Sequence, residues 1–265
     1  MDKTFYDLII AANIDVHKKE AGLYDIIHTF GKNWYAQYLL NGDIQRILRL
    51  APGKKACDLG CGTGNVTRRL LDAGCEVTAV DLSAEMLEEM NKKMTDKNNL
   101  NTFCVNIDRF LQGGSDKYDI ITINAVLHHM PDYLDTISLA MRRLSGGGML
   151  YLVDGIHKDK PNKYYGFIRK CLLWMDKKLY ILMHGNKKIL FDHGIDYTYS
   201  DYHCNAAGTN GLDLGSIKEL IGSNGLKLVR VSGYNIGMYL GTLAMLDDLI
   251  SVSRNSFRLI AKKNN

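Results

Sequence analysis

Several features are missing, and each absence removes a class of protein. No CxxC pair occurs among the six cysteines (57, 61, 75, 104, 171 and 204). Those inside apolar runs read as small free-thiol core residues in a reducing, cytoplasmic setting. No uninterrupted apolar run reaches the length needed to cross a bilayer. The opening "MDKTFYDLIIAANID" sets Asp7 beside a very short apolar run, unlike a secretory leader. There is no internal repeat and no low-complexity tract. A large excess of one charge is also missing: the formal net charge is +4, mild for a nucleic-acid binder. That charge is uneven, since residues 156–190 hold nine bases against two acids.

What remains is an ordinary globular composition. The chain has 265 residues, 46% of them apolar and 23% charged, enough for one large α/β domain with an appendage. From residue 55, short apolar runs alternate with amphipathic stretches. "KACDL", "CEVTAV", "NTFCVNI", "YDIITIN" and "GGGMLYLVD" read as strands, joined later by "LKLVRVSG" and "SFRLIAKK". Helices are expected over 64–73, from the cap Ser83, from Asp132 through Leu144, and over "DLGSIKELIGSNG". The alternation predicts a doubly wound, mostly parallel seven-stranded sheet with right-handed crossovers. Residues 1–50 read as a helical cap across the sheet's edge, 51–155 and 209–265 as the core sheet, and 156–208 as an inserted lid.

"ACDLGCGTGNVTRRL" places Gly60, Gly62 and Gly64 between the first strand and the first helix, two residues after Asp58. Such a loop lets a ligand approach the main chain and meet a helix N-terminus. The dinucleotide spacing G-x-G-x-x-G fails, because Asn65 stands where the third glycine belongs. Asp58 would also repel a pyrophosphate; it suits a cationic group, as in a zwitterionic amino acid. Asp81 ends the second strand 21 residues beyond Gly60, the spacing of an acid that meets ribose hydroxyls. An amino acid joined to a nucleoside satisfies both acids, and S-adenosyl-L-methionine has that composition.

"DLGCGTGNVT", "VTAVDLSAEMLE", "NID" and "YDIITINAVLHHMPDYL" resemble the class I S-adenosylmethionine-dependent methyltransferases over residues 20–155, and more loosely over 212–231. The resemblance implies that Asp58, Gly60, Cys61 and Gly62 line the methionyl part. It implies that Asp81 holds the ribose, that Leu82 and Met86 flank the adenine, and that Asp108 accepts from the adenine amino group beside Ile107. Asn124 would close the pocket, and Tyr24 would roof it. Two departures affect local shape. Ser145 in "LSGGG" replaces a customary proline, and "YNIGMYLGTLAMLDDLISVSRN" lengthens the last connection by enough for a helix.

Methyl transfer needs alignment and, for a hydroxyl or carbon acid, a base. His128, after the fourth strand, and His203, in "IDYTYSDYHCN", are the candidates. His184, His193 and His203 are too widely spaced for a metal site. "NAVL" from Asn124 lacks the proline-rich tetrad of exocyclic base-amine methylation, and no Pro-Cys pair serves cytosine C5 chemistry, so nucleic acid is disfavoured. The expected acceptor is a small molecule or lipid-like. Within 163–183, Lys163, Lys170 and Lys177 recur every seven residues, and Tyr164, Ile168, Cys171, Met175, Leu179 and Leu182 every three or four. Such a helix either packs its apolar face on the core or makes peripheral contact with an anionic membrane. A non-catalytic S-adenosylmethionine binder, or a nicotinamide oxidoreductase, are the alternative readings.

Overall fold

The computed structural model describes residues 3–28, 33–94, 98–155, 163–184, 211–235, 240–250 and 255–265. His203 lies outside them. The strands are β1 (Lys55–Leu59), β2 (Glu76–Asp81), β3 (Leu100–Cys104), β4 (Tyr118–Asn124), β5 (Leu144–Gly155), β6 (Leu226–Tyr234) and β7 (Ser256–Lys263). They form one sheet in the order β3-β2-β1-β4-β5-β7-β6, in which β7 pairs antiparallel with both its neighbours. The helices are α1 (Lys3–Glu20), α2 (Tyr24–Ile27), α3 (Trp34–Leu50), α4 (Asn65–Asp72), α5 (Ala84–Lys93), α6 (Ile107–Gly113), α7 (Tyr133–Arg142), α8 (Lys163–His184), α9 (Leu214–Ser223) and α10 (Gly241–Ile250). The sheet is the doubly wound one that the alternation predicts.

Two boundaries differ from the sequence expectation. Strand β3 stops at Cys104, because the Asn106 side chain accepts from the N–H groups of Asp108 (3.0 Å) and Arg109 (3.2 Å) and starts α6. Ile107 therefore opens a helix instead of ending a strand. Helix α7 stops at Arg142, because Leu144 already pairs with Tyr118 and "LSGGG" is drawn into β5. Ser145 fixes that segment: its hydroxyl lies 2.8 Å from Asp119 Oδ1 and 3.2 Å from the Tyr118 carbonyl.

Both sheet faces are buried, which is why the central strands read as continuous apolar runs. Ile121, Ile123, Leu150 and Leu152 pack towards α7 and α9 through Ile137, Ala140, Ile217 and Ile221. Ile120, Met149, Tyr151 and Val153 face Leu40, Ile44 and Ile47 of α3 and Leu70 of α4. Thus α3 lies on a face of the sheet and not across its edge. Asp43 is buried in this layer, accepting from Arg258 Nη1 (2.7 Å) and the Tyr151 hydroxyl (3.1 Å).

Helix α10 fills the long β6–β7 connection, and α8 packs on it. Leu172 meets Ala244, Arg169 Nε lies 3.3 Å from Asp247 Oδ2, and Leu240 N donates to Asp176 Oδ1 (2.8 Å). The buried stripe of α8 thus runs through Leu172, Asp176 and Tyr180. Of the two placements open to the apolar series, packing on the core is not the one seen: Ile168, Met175, Leu179 and Leu182 are exposed. Among the described residues, no helix is long and apolar enough to cross a membrane.

Candidate active site

The chain winds outward in opposite directions from β1 and β4, leaving a crevice at their carboxyl ends, where ligands of such sheets bind. A cavity of about 520 Å³ lies there, within the range of small-molecule sites. Its floor is the glycine loop. Gly60 has φ +70°, and a Cβ there would enter the Val126 side chain. Its N–H and that of Cys61 donate to the Val80 carbonyl at 2.7 and 3.0 Å, binding the loop to β2. Gly62 has φ +52° and open space where a Cβ would stand. Its main chain is therefore presented bare to the cavity.

The two acids sit at adjacent strand ends. Asp58 is buried; Oδ2 accepts from the Thr67 hydroxyl (2.6 Å) and Oδ1 from that of Thr122 (2.7 Å). Asp81 accepts from Gly62 N on one oxygen (2.8 Å) and from Ser83 N on the other (2.9 Å). It thereby ties the glycine loop to the start of α5. Burial raises both carboxyls above their ordinary range, against the lowering effect of these hydrogen bonds. A cationic ligand would relieve that cost.

Of the other sequence-predicted residues, Tyr24, Cys61, Leu82, Met86, Ile107, Asn124 and His128 also line the cavity. Burial pushes the Cys61 thiol well above its usual range, so it acts as a neutral wall. Asp108 is engaged elsewhere: its carboxylate accepts from Thr136 Oγ1 (2.7 Å) and the Tyr6 hydroxyl (3.2 Å). The polar residue at the end of β3 that does line the cavity is Asn106. Its sequence signal is an Asn immediately before a short helix.

Helix α1 forms the roof, with Asn13, His17 and Glu20 on the lining. The sequence reading missed these three. Glu20 Oε2 lies 3.1 Å from His28 Nε2 and 3.8 Å from His17 Nδ1. Burial lowers the His17 pKa, with Asp81 and Glu20 opposing the shift. Among the described residues, three buried lining atoms lack a hydrogen-bond partner: Asn13 Oδ1, His17 Nδ1 and Asn124 Oδ1. Each such orphan costs roughly 1–3 kcal/mol until something polar meets it.

A third acid completes the wall. Asp154, near the end of β5, is buried; its Oδ1 lies 2.8 Å from His128 Nδ1 and accepts from Gly155 N (2.7 Å), while Oδ2 accepts from His128 N (3.2 Å). The same rule that found Asp58 and Asp81, an acid at a strand's carboxyl end, could have found it. His129 lies tilted against His128 with ring centroids 3.9 Å apart and meets His17 edge-on at 5.1 Å. Between Asn124 and these histidines, Ala125 has φ +57°, a conformation held by its N–H donating to the Val153 carbonyl (2.7 Å). Among the described residues, no group of three or more His, Cys, Asp or Glu is placed to hold a metal ion.

Residues 57–150 match the family model described as a methyltransferase domain. The ubiquinone biosynthesis O-methyltransferase of Actinobacillus pleuropneumoniae is 33% identical over 105 residues, covering 37% of this chain and 44% of that protein. The demethylmenaquinone methyltransferase of Staphylococcus saprophyticus is 30% identical over 156 residues, covering 56% of this chain and 64% of its own. The chain thus spans about half the length of the curated relatives it matches. In fold, it superposes on magnesium protoporphyrin IX methyltransferase from Synechocystis, solved with S-adenosylhomocysteine, with a TM-score of 0.54 and 18% identity over 91% of this chain and 87% of that one. The plantazolicin methyltransferase BamL, also solved with S-adenosylhomocysteine, gives a TM-score of 0.55 at 16% identity over 99% of both chains. Residues 57–150 thus match a methyltransferase domain, and the chain as a whole has the fold of these solved methyltransferases.

Proposed function

We propose that this chain is an S-adenosylmethionine-dependent methyltransferase acting on a hydroxyl of a small-molecule or lipid-like acceptor. The observation that carries the reading is the His128–Asp154 pair, which lines the same cavity as Asp58 and Asp81. The residues present fit the cofactor: two buried acids suit its cationic and diol groups, Gly62 offers bare main chain, and the orphaned polar atoms await partners. Asp58, Gly60, Cys61 and Gly62 would hold the methionyl part and Asp81 the ribose. Leu82, Met86 and Ile107 would flank the adenine, with Asn124 below and Tyr24 above. When bound, S-adenosylmethionine supplies a methyl group activated for in-line displacement.

The chain's own residues supply the rest. The Asp154 carboxylate accepts the Nδ1–H of His128, which puts the ring's lone pair on Nε2. That nitrogen takes the acceptor's hydroxyl proton, and Asp154 stabilises the imidazolium that results. The α1 roof keeps water from the reacting centre. The relatives' quinone-biosynthesis names support a small, ring-bearing acceptor. Free Cys57, Cys61 and Cys75 suit a reducing cytoplasm.

The test is S-adenosylhomocysteine formation with a panel of catechols and hydroquinones, short- and long-tailed. Turnover that His128→Gln abolishes, with cofactor affinity kept, is expected. Turnover unaltered by that substitution would refute the assignment of the base.

A further inference from the structure

The outward face of α8 is not used by the reaction, and its composition is unusual for a solvent face. Leu172, Asp176 and Tyr180 fall on one stripe at four-residue spacing and bury against the protein. The opposite side presents Phe167 (70% exposed), Trp174 (64%) and Leu182 (83%), with Ile168, Met175 and Leu179 beside them. At 100° per residue, these side chains occupy one broad sector. Lys170 and Lys177 project at its margin and Lys178 from within it, all three exposed. The acid of this helix, Asp176, is buried and accepts from Leu240 N, so the outward charge is wholly positive.

We infer that α8 is an interfacial helix that seats the protein on an anionic lipid bilayer. Exposed Trp, Phe and Leu are the side chains that enter the headgroup boundary, and lysines at the rim meet anionic headgroups. A second copy of the chain fits less well, because a two-fold contact through this face would set lysines against lysines. The position also serves access to the cavity. Leu172 packs on Ala244 of α10, and Ala244 also lines the cavity. Asp248 of α10 accepts from the Tyr35 hydroxyl (2.9 Å) and Asn235 N (2.8 Å), two further lining residues. The cavity wall around Ala244 is therefore one helix away from the docked surface, the arrangement a lipid-soluble acceptor needs. The docking itself does not depend on the methyl-transfer reading.

The experiment is co-sedimentation of the whole chain with vesicles of phosphatidylcholine plus phosphatidylglycerol, against phosphatidylcholine alone. Binding to the anionic vesicles is expected, with a blue shift of tryptophan emission that Trp174→Phe removes. Phe167→Ser combined with Leu182→Ser should weaken partitioning at least ~10-fold, since each buried side chain contributes a large share of the insertion energy. Lys170→Glu combined with Lys177→Glu should erase the preference for phosphatidylglycerol. Circular dichroism confirms that the variants fold, and S-adenosylhomocysteine calorimetry reads the cavity separately, so either proposal can fail alone. A wild-type chain that stays in the supernatant would overturn the inference. So would variants that bind equally well, or a dimer in sedimentation velocity that Phe167→Ser dissolves.

Discussion

Replacing Asp58 by Asn should move stability and ligand affinity in opposite directions. Burial is the largest influence on this carboxyl and raises it above the ordinary value of 3.8. A group whose folded pKa is raised contributes stability at low pH that is lost as pH rises through the folded value. Above that folded value, the ligand-free protein carries the cost of a buried charge. Asn removes that charge at little structural expense. Thr122 Oγ1 lies 3.5 Å from the Cys57 carbonyl, so the hydroxyl can turn its proton there and accept from the new amide, while Thr67 goes on donating to the amide oxygen. The ligand-free variant should melt higher, by roughly 2–4 °C for each kcal/mol of relieved burial. Binding of S-adenosylmethionine should weaken, because a charge-assisted contact worth about 1.5–3 kcal/mol is lost. That corresponds to a ~10- to 150-fold rise in Kd, measured by calorimetry. S-adenosylhomocysteine keeps the ammonium but not the sulfonium, so an equal loss for both ligands places Asp58 against the ammonium. An affinity unchanged within about twofold, or a lower melting temperature, would refute the electrostatic account of this cleft.

Three further outcomes follow from other buried groups. Asp154→Asn should cut turnover ~100-fold or more, by weakening the imidazolium and setting an amide donor against a donor, while S-adenosylhomocysteine affinity stays within about twofold; parallel losses in both would contradict its role. Asp43→Ala leaves Arg258 buried beside Arg230 without its carboxylate, and thermal unfolding should show about 3–5 kcal/mol lost, whereas Asp43→Leu with Arg258→Met should recover most of it. His17 has its pKa lowered by burial, so the unfolded chain takes up its proton first and stability falls as pH drops below about 6.5. His17→Gln should flatten that part of the pH–stability curve in urea titrations.

The core and the loop that binds it to the ligand side were legible because each rests on a local rule. The continuous apolar runs of β4 and β5, the Ser83 cap and the glycine loop at a strand end are all short-range patterns. Asp58 and Asp81 could be assigned because strand ends of a parallel sheet converge on one crevice, whatever lies between them in sequence. Asp154 obeys the same geometry, but its partner His128 belongs to a different crossover, and only the β4–β5 pairing brings them together. The ends of β3 and α7 were displaced by one local bond and one tertiary one: Asn106 capping α6, and the pairing of Leu144 with Tyr118 across the sheet. The Asn106 cap is a short-range signal that the apolar run around it masked, whereas sequence spacing cannot weigh the cross-sheet pairing against the helix it interrupts. The stripe on α8 misled for a related reason, since the more apolar series faces out and the packed face includes Asp176, matched to a backbone N–H of the α10 connection.

The roof shows where patterning must fail at a functional site. A helix is read by assuming that its apolar side faces inward, but a helix that closes a polar ligand must turn bonding groups inward. Asn13, His17 and Glu20 fall at three- and four-residue spacing on α1, one face, and that face lines the cavity. Read alone, the face suggests solvent. The unmet atoms on Asn13 and His17 make the inward orientation unfavourable for the ligand-free chain, each by roughly 1–3 kcal/mol. A ligand that satisfied them would return this energy as affinity. The polar residues that hide α1 from a hydrophobic reading are thus the ones that line the cavity with unmet bonding capacity.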